Sequence, residues 1–217
     1  MAPVTVILVE DHALVRQAFR RVLEDNPRIK VVGEGRTGRE AVELAQRHHP
    51  DVILLDMVMP ELNGIEAAEQ IRRLDPRIRM MILSMYSDEL YVRAALRAGV
   101  RGYVLKDAHD LDLAQAVLTV AKDQPYLSPG VAAVLLDVVQ EGREATVDDP
   151  YQRLTQREKQ ILQMVAEGNS SKEIAQLLGI SPKTVAVHRD NLMQTLNIHG
   201  VAQLALYAVK KGLVKPE

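Results

Sequence analysis

The 217-residue sequence has no cysteine and no tryptophan, a single phenylalanine at Phe19, and only 3 % aromatic residues. Without thiols it can have no disulfide framework, zinc ribbon or cysteine nucleophile. Without tryptophan, and with one phenylalanine, it has little from which to build a large aromatic ligand pocket. No apolar run approaches the roughly 18 residues that a membrane span requires. The opening segment MAPVTVILVEDH enters a strand pattern with no cleavable signal, so a cytoplasmic location and no membrane partner are expected. The rest is ordinary for a folded chain, at 47 % hydrophobic and 26 % charged.

The formal charge of -2 hides an asymmetry. Residues 1–136 hold 17 Lys and Arg against 19 Asp and Glu, residues 137–150 hold 1 against 5, and residues 151–217 hold 9 against 5. A basic C-terminal piece behind an acidic connector implies two units with different partners, the second suited to a polyanion.

Over residues 1–121, short apolar runs alternate with helical patterns. The runs are Val4 to Val9, Ile29 to Gly33, Val52 to Leu55, Met80 to Leu83 and Gly102 to Leu105; the intervening helices are marked by spacings such as Leu14, Ala18, Val22 and Ala41, Leu44, Ala45. Near-continuous apolar strands separated by helices predict a parallel sheet covered on both faces. Five such units predict a flavodoxin-like α/β domain with strand order 2-1-3-4-5 and its crevice beyond strands 1 and 3. Ser128-Pro129 then opens a helix expected to leave this domain and to stop at Gly142, and residues 122–150 are read as connecting helix and linker. Residues 151–217 show no strand alternation. Thr155 with Glu158 and Ser170 with Glu173 are spaced as capping boxes, Ser181-Pro182 opens another helix, and a last one starts near His199.

The strand ends of the first domain carry the chemistry. Strand 1 ends in Glu10-Asp11, strand 3 in Asp56, strand 4 in Ser84 and strand 5 in Lys106. A single strand-end carboxylate is ordinarily a cap or a solvated loop residue, and Asp11 alone could simply cap the next helix. Three carboxylates converging on one crevice would raise one another's pKa unless a cation lies among them. A hard, oxygen-seeking ion such as Mg2+ meets that need and leaves room for phosphate oxygens. Lys106 adds a fixed positive charge for an incoming phosphoryl group.

The segments VILVEDH, LLDMVMPELNG, ILSMYS and GYVLKDA resemble the motifs of bacterial response-regulator receiver domains across residues 4–121. The resemblance implies that Asp56 accepts a phosphoryl group from a sensor histidine kinase. It also implies that Asp11 ligates Mg2+, that Glu10 does so directly or through water, and that Asp56 and the backbone carbonyl of Val58 complete the protein ligands. Ser84 and Tyr103 match the switch hydroxyl and aromatic positions, and Lys106 the lysine. Asp107 stands where many receivers have proline.

Other features have plainer readings. Gly33-Glu34-Gly35-Arg36-Thr37-Gly38 fits G-x-G-x-x-G formally, but it follows the second strand rather than the first. His48 and His49 close a helix, where imidazole suits the helix C-terminus. Met57, Met59, Met80, Met81 and Met85 read as core or loop filler.

In the C-terminal piece a glycine turn at Gly179 precedes the helix opened by Ser181-Pro182, the pattern of a helix-turn-helix. Val185, Leu192 and Leu196 lie within about 20° of one inward direction at 100° per residue. The opposite face presents Lys183, Val187, Asp190 and Gln194, flanked by Thr184 and Asn191. A surface helix of a protein-binding domain is the bland alternative. The stretches LTQRE, EGNSSKEIAQLLGIS and KTVAVH resemble the four-helix DNA-binding domain of the family named for the quorum regulator of luminous bacteria, over residues 151–214. With the receiver, this resemblance identifies the chain as similar to the nitrate-regulator-like response regulators. It implies a phosphorylation-dependent transcription regulator, not an enzyme, that binds double-stranded DNA through Lys183, Thr184, Val187, His188 and Asn191. It further implies a homodimer when phosphorylated, with RNA polymerase as a further partner. Arg189 is expected to pair with Glu158 inside the module. Two rivals stand beside this reading. One is a regulator whose receiver is silent and which answers to a protein or ligand. The other is an aspartate-nucleophile phosphatase of the haloacid-dehalogenase type, which would place a second Asp where this chain has Val58.

Overall fold

The computed structural model describes residues 2–107, 112–140 and 150–214, and the chain divides into two compact units, Met1–Arg143 and Glu144–Glu217. In the first unit, strands β1 (Val4–Val9), β2 (Ile29–Gly35), β3 (Val52–Asp56), β4 (Arg79–Ser84) and β5 (Gly102–Leu105) alternate with helices α1 (Ala13–Glu24), α2 (Gly38–His48), α3 (Gly64–Leu74), α4 (Glu89–Ala98) and α5 (Leu113–Val120). A short β6 (Tyr126–Leu127) and helix α6 (Pro129–Gln140) follow. The sheet is parallel, with order β2-β1-β3-β4-β5-β6. The expected order therefore holds for the first five strands, and β6 is an edge strand beyond the five anticipated. Two residues carry too little pattern to register as a strand, and β6 exists because β5 offers it an open edge, with Gly102 paired to Tyr126 and Tyr103 to Leu127.

All five residues of β3 are buried, as a central parallel strand with helices on both faces requires. Ile53 and Leu55 pack to one side with Ala67, Ile71 and Tyr103, and Leu54 to the other with Leu8, Leu83 and Val117. Truncating Leu54 to alanine would cost about 2–5 kcal/mol. Asn63 and Thr37 cap α3 and α2 by accepting from the backbone N–H three residues on. Both helices therefore start at fixed points beside the strand ends.

Two expectations need correction, and the plain reading of a third feature stands. The spacing of Leu14, Ala18 and Val22 does mark a helix, but that stripe faces out: Leu14 is 82 % exposed. The inward positions of α1 are Arg16 and Leu23, with Phe19 packed beside the core. Periodicity fixed the helix and left its rotation open, because the long buried side chain is an arginine. Helix α6 does not leave the domain, since Val131 is fully buried in the receiver core and Leu135 packs against that core. The expected stop at Gly142 and the linker up to residue 149 lie outside the described residues. The formal G-x-G-x-x-G is a packing device. A Cβ on Gly38 would come within 2.1 Å of the Leu62 carbonyl oxygen, so that glycine admits the neighbouring loop rather than a nucleotide.

The second unit is helical: a 3₁₀ turn at Pro150–Arg153, then α7 (Gln156–Ala166), α8 (Ser171–Leu178), α9 (Pro182–Leu196) and α10 (Val201–Lys210). Thr155 with Glu158 and Ser170 with Glu173 close reciprocal capping boxes. Gly179 ends α8 at φ 64°, a left-handed conformation that glycine adopts without cost. Ile161, Ile174, Val185, Leu192 and Leu204 meet in its core. The last helix begins two residues later than anticipated. Its stripe divides, with Leu204 and Ala208 buried and Val201 exposed.

Candidate functional site

In parallel strands the backbone delivers every C-terminal residue to the same edge of the sheet, and here that edge gathers four charged groups. Glu10 follows β1 and is fully buried, Asp56 ends β3 and is 3 % exposed, and Asp11 lies at the rim. Lys106 follows β5, its backbone N–H donating to the Ser84 carbonyl at 2.8 Å. Its ammonium donates to Glu10 Oε2 at 2.6 Å and lies 2.9 Å from Asp56 Oδ1. Burial disfavours the charge on Lys106, but Asp56 and Glu10 together outweigh burial and raise its pKa. The site therefore holds one cation among three carboxylates.

Glu10, Asp11 and His12 each offer a ligand atom, all within 4.8 Å of one another. His12 Nδ1 is 2.8 Å from Asp11 Oδ1, and the His12 backbone N–H donates to Glu10 Oε1 at 3.2 Å. An oxygen-rich set with a net negative charge suits a hard divalent ion better than a soft one. The Val58 N–H lies 3.4 Å from Asp56 Oδ1, which keeps the loop after β3 folded against the carboxylate.

Two supports were not legible in the sequence. Arg16, buried on α1, donates to the Glu10 backbone carbonyl at 2.6 Å, while its Nε lies 3.3 Å from Glu34 Oε2 on β2. Glu34 is also paired with Arg20. The turn carrying Glu10 and Asp11 is thus tied to both α1 and β2. An arginine six residues past a carboxylate gives no spacing signal, and only the helix crossing makes the contact.

The second support is Met57, next to Asp56. Ser84 and Tyr103 each donate to its sulfur at 3.5 Å, a weak acceptor at a long contact. The single Tyr103 O–H is directed chiefly to the Tyr86 carbonyl at 2.7 Å, which makes its approach to Met57 secondary, and Ser84 Oγ accepts from the Tyr86 N–H at 2.9 Å. Burial pushes the Tyr103 phenol up to about 12, against the influence of the Ser84 hydroxyl. The two switch candidates are thus linked through residues 57 and 86. Met59, Met80 and Met81 are core residues like Met57, whereas Met85 is exposed. His49 sits in the left-handed region at φ 43° and faces Asp75 at 3.3 Å, a carboxyl that Arg77 holds well below the usual range.

In the second unit, Lys183, Thr184, Val187, Asp190 and Asn191 all lie on exposed positions of α9, while Val185, Leu192 and Leu196 are buried. His188 is only half-exposed, and its Nδ1 is buried without a hydrogen-bond partner. Arg189 does not reach Glu158 as expected. It donates to Ser171 Oγ at 3.1 Å, while Glu158 closes the α7 cap. The arginine thus fastens the recognition-type helix to the start of α8.

Residues 6–118 match the response regulator receiver domain family, and residues 152–208 match the bacterial regulatory proteins of the luxR family. The chain belongs to the response regulators in which a receiver is joined to a luxR-type helix-turn-helix, a family of phosphorylation-dependent transcription regulators rather than enzymes. It is similar to the oxygen regulatory protein NreC of Staphylococcus carnosus, at 37 % identity over 96 % of this chain and 98 % of that one. It is also similar to the transcriptional regulatory protein LiaR of Bacillus subtilis, at 38 % identity over 97 % and 99 %. Among solved structures, the response regulator RcsB in complex with DNA aligns at 25 % identity and a TM-score of 0.59, covering 94 % of this chain and 97 % of that one. No helix among the described residues is long and apolar enough to cross a membrane.

Proposed function

We propose that Asp56 is the phosphoacceptor of a cytoplasmic regulator, with residues 1–121 and the packed β6 and α6 after them as the receiver, the residues from there to 150 as the connection and 151–217 as the DNA-binding domain. The observation that carries this is the Lys106 ammonium held between Glu10 and Asp56 at the C-terminal edge of the sheet. An Asp56 carboxylate oxygen attacks the phosphorus of a kinase phosphohistidine. The new P–O bond forms as the P–N bond breaks, and the imidazole leaves with the bonding pair. Glu10, Asp11 and Asp56, with the Val58 carbonyl, would hold Mg2+, which neutralises charge on the transferring group. Lys106 meets the phosphoryl oxygens once its contact with Asp56 is exchanged. Ser84 then turns from Met57 toward the phosphoryl group, and Tyr103 is released from Tyr86 to repack inward. The phosphate biases an equilibrium that already exists.

On this reading, the change in the receiver surface frees or dimerises the second unit, which then binds DNA as a pair of copies. Lys183, Thr184, Val187, His188 and Asn191 are the assigned contact residues on α9. That the similar RcsB is solved in complex with DNA supports DNA as the partner. Incubation with acetyl phosphate and Mg2+ followed by phosphate-affinity electrophoresis tests the assignment. The parent should show one slower species and Asp56→Asn none. An undiminished shift in Asp56→Asn would place the acceptor elsewhere.

A further inference from the structure

The carboxylates of the second unit are not alike. Glu158 and Glu173 each accept from their own helix N-cap, and Glu167 accepts from Gln163 and Asn169. Asp190 has no such partner among the described residues. It is exposed on α9, and the neighbouring guanidinium of Arg189 is directed away to Ser171. Lys183 lies seven residues earlier, roughly 10 Å along the axis. A bare carboxylate on a helix laid against a phosphate-lined groove is repelled unless a base donor receives it.

Resting on the reading of α9 as the recognition helix, we infer that Asp190 is a specificity-determining residue. It selects an exocyclic amino group in the major groove, cytosine N4, beside a thymine whose methyl group meets Val187. Two donors of this kind exist in the groove, cytosine N4 and adenine N6. Adenine places its N7 acceptor next to the amino group, where it opposes a second carboxylate oxygen, so cytosine is favoured. Val187 is 51 % exposed, an apolar side chain with no core to fill. It precedes Asp190 by three residues on the same face. That separation is roughly 4.5 Å along the helix, close to the roughly 3.4 Å base step, so the two residues read neighbouring base pairs.

The test uses the full chain treated with acetyl phosphate and Mg2+, and selects from a random duplex library with sequencing of the bound fraction. The parent should enrich half-sites with adjacent thymine and cytosine. Asp190→Ala should lose about tenfold of the preference for cytosine at that one position, and Asp190→Asn should turn it toward adenine. Replacing the thymine by deoxyuridine should weaken the parent several-fold and leave Val187→Ala unmoved. An unchanged motif in Asp190→Ala, or a uniform rise in affinity for every sequence, would overturn the inference and reduce Asp190 to a source of repulsion. A parent chain that enriches no sequence would overturn the recognition-helix reading itself, and the inference with it.

Discussion

Lys106 and Glu10 stand 96 residues apart in the chain and 2.6 Å apart in the fold, with the carboxylate fully buried and the ammonium nearly so. The pair joins the two ends of the sheet's working edge. It also gives the acidic site the cation it needs before any ion or phosphoryl group arrives.

Lys106→Met leaves Glu10 buried beside Asp56 without the ammonium that both carboxylates share. Breaking one side of such a pair costs about 3–5 kcal/mol, whereas replacing both sides costs far less. Urea denaturation should therefore show a large loss for Lys106→Met and recovery in Glu10→Gln/Lys106→Met. Equal losses in both variants would mean that the interaction adds little to stability.

Asp11→Ala should abolish Mg2+-dependent incorporation of phosphate into Asp56 while leaving the melting temperature unchanged or raised, because one of three repelling carboxylates is gone. Its pairing with the exposed His12 is worth little. Normal phosphorylation of this variant would remove Asp11 from the ligand set.

Tyr103 supplies a pH dependence whose sign follows from its raised pKa. The unfolded phenol titrates near 10 and the folded one at about 12. Between those values the unfolded chain has lost a proton that the folded chain retains. Stability from this group is full below about pH 10 and falls by roughly 1.4 kcal/mol per pH unit as pH rises toward 12. Tyr103→Phe should be about 1 kcal/mol less stable at neutral pH, for the lost bond to Tyr86, yet flatter through the alkaline range. Parallel urea titrations from pH 8 to 11.5 would reveal the difference in slope.

Lys183 is exposed at the start of α9, where a phosphate contact is within reach of a major-groove helix. Lys183→Ala should weaken DNA binding on all sequences alike and reduce the log–log salt slope by about one. Anisotropy titrations at several salt concentrations would decide. A loss confined to one base position would instead make Lys183 a reader of the groove.

The first five strands, the acidic pair, Asp56, Lys106 and the helix-turn-helix were legible in local pattern, and the order of those strands followed from the fold class that five such units define. Apolar runs of strand length, capping residues at fixed offsets and strand-end charges are each readable within a few residues. Which way α1 faces was not, since Leu14, Ala18 and Val22 form as regular a stripe as the positions that are buried. Only the packing of Arg16 against Glu10 and Glu34 chose between them. The linkage of Ser84 and Tyr103 through Met57, the partner of Arg189 and the docking of α6 through Val131 were likewise decided by tertiary structure. In each case the contact joins residues whose separation in sequence carries no periodic signal. Its formation depends on distances set by the whole sheet or bundle, which local propensity does not encode.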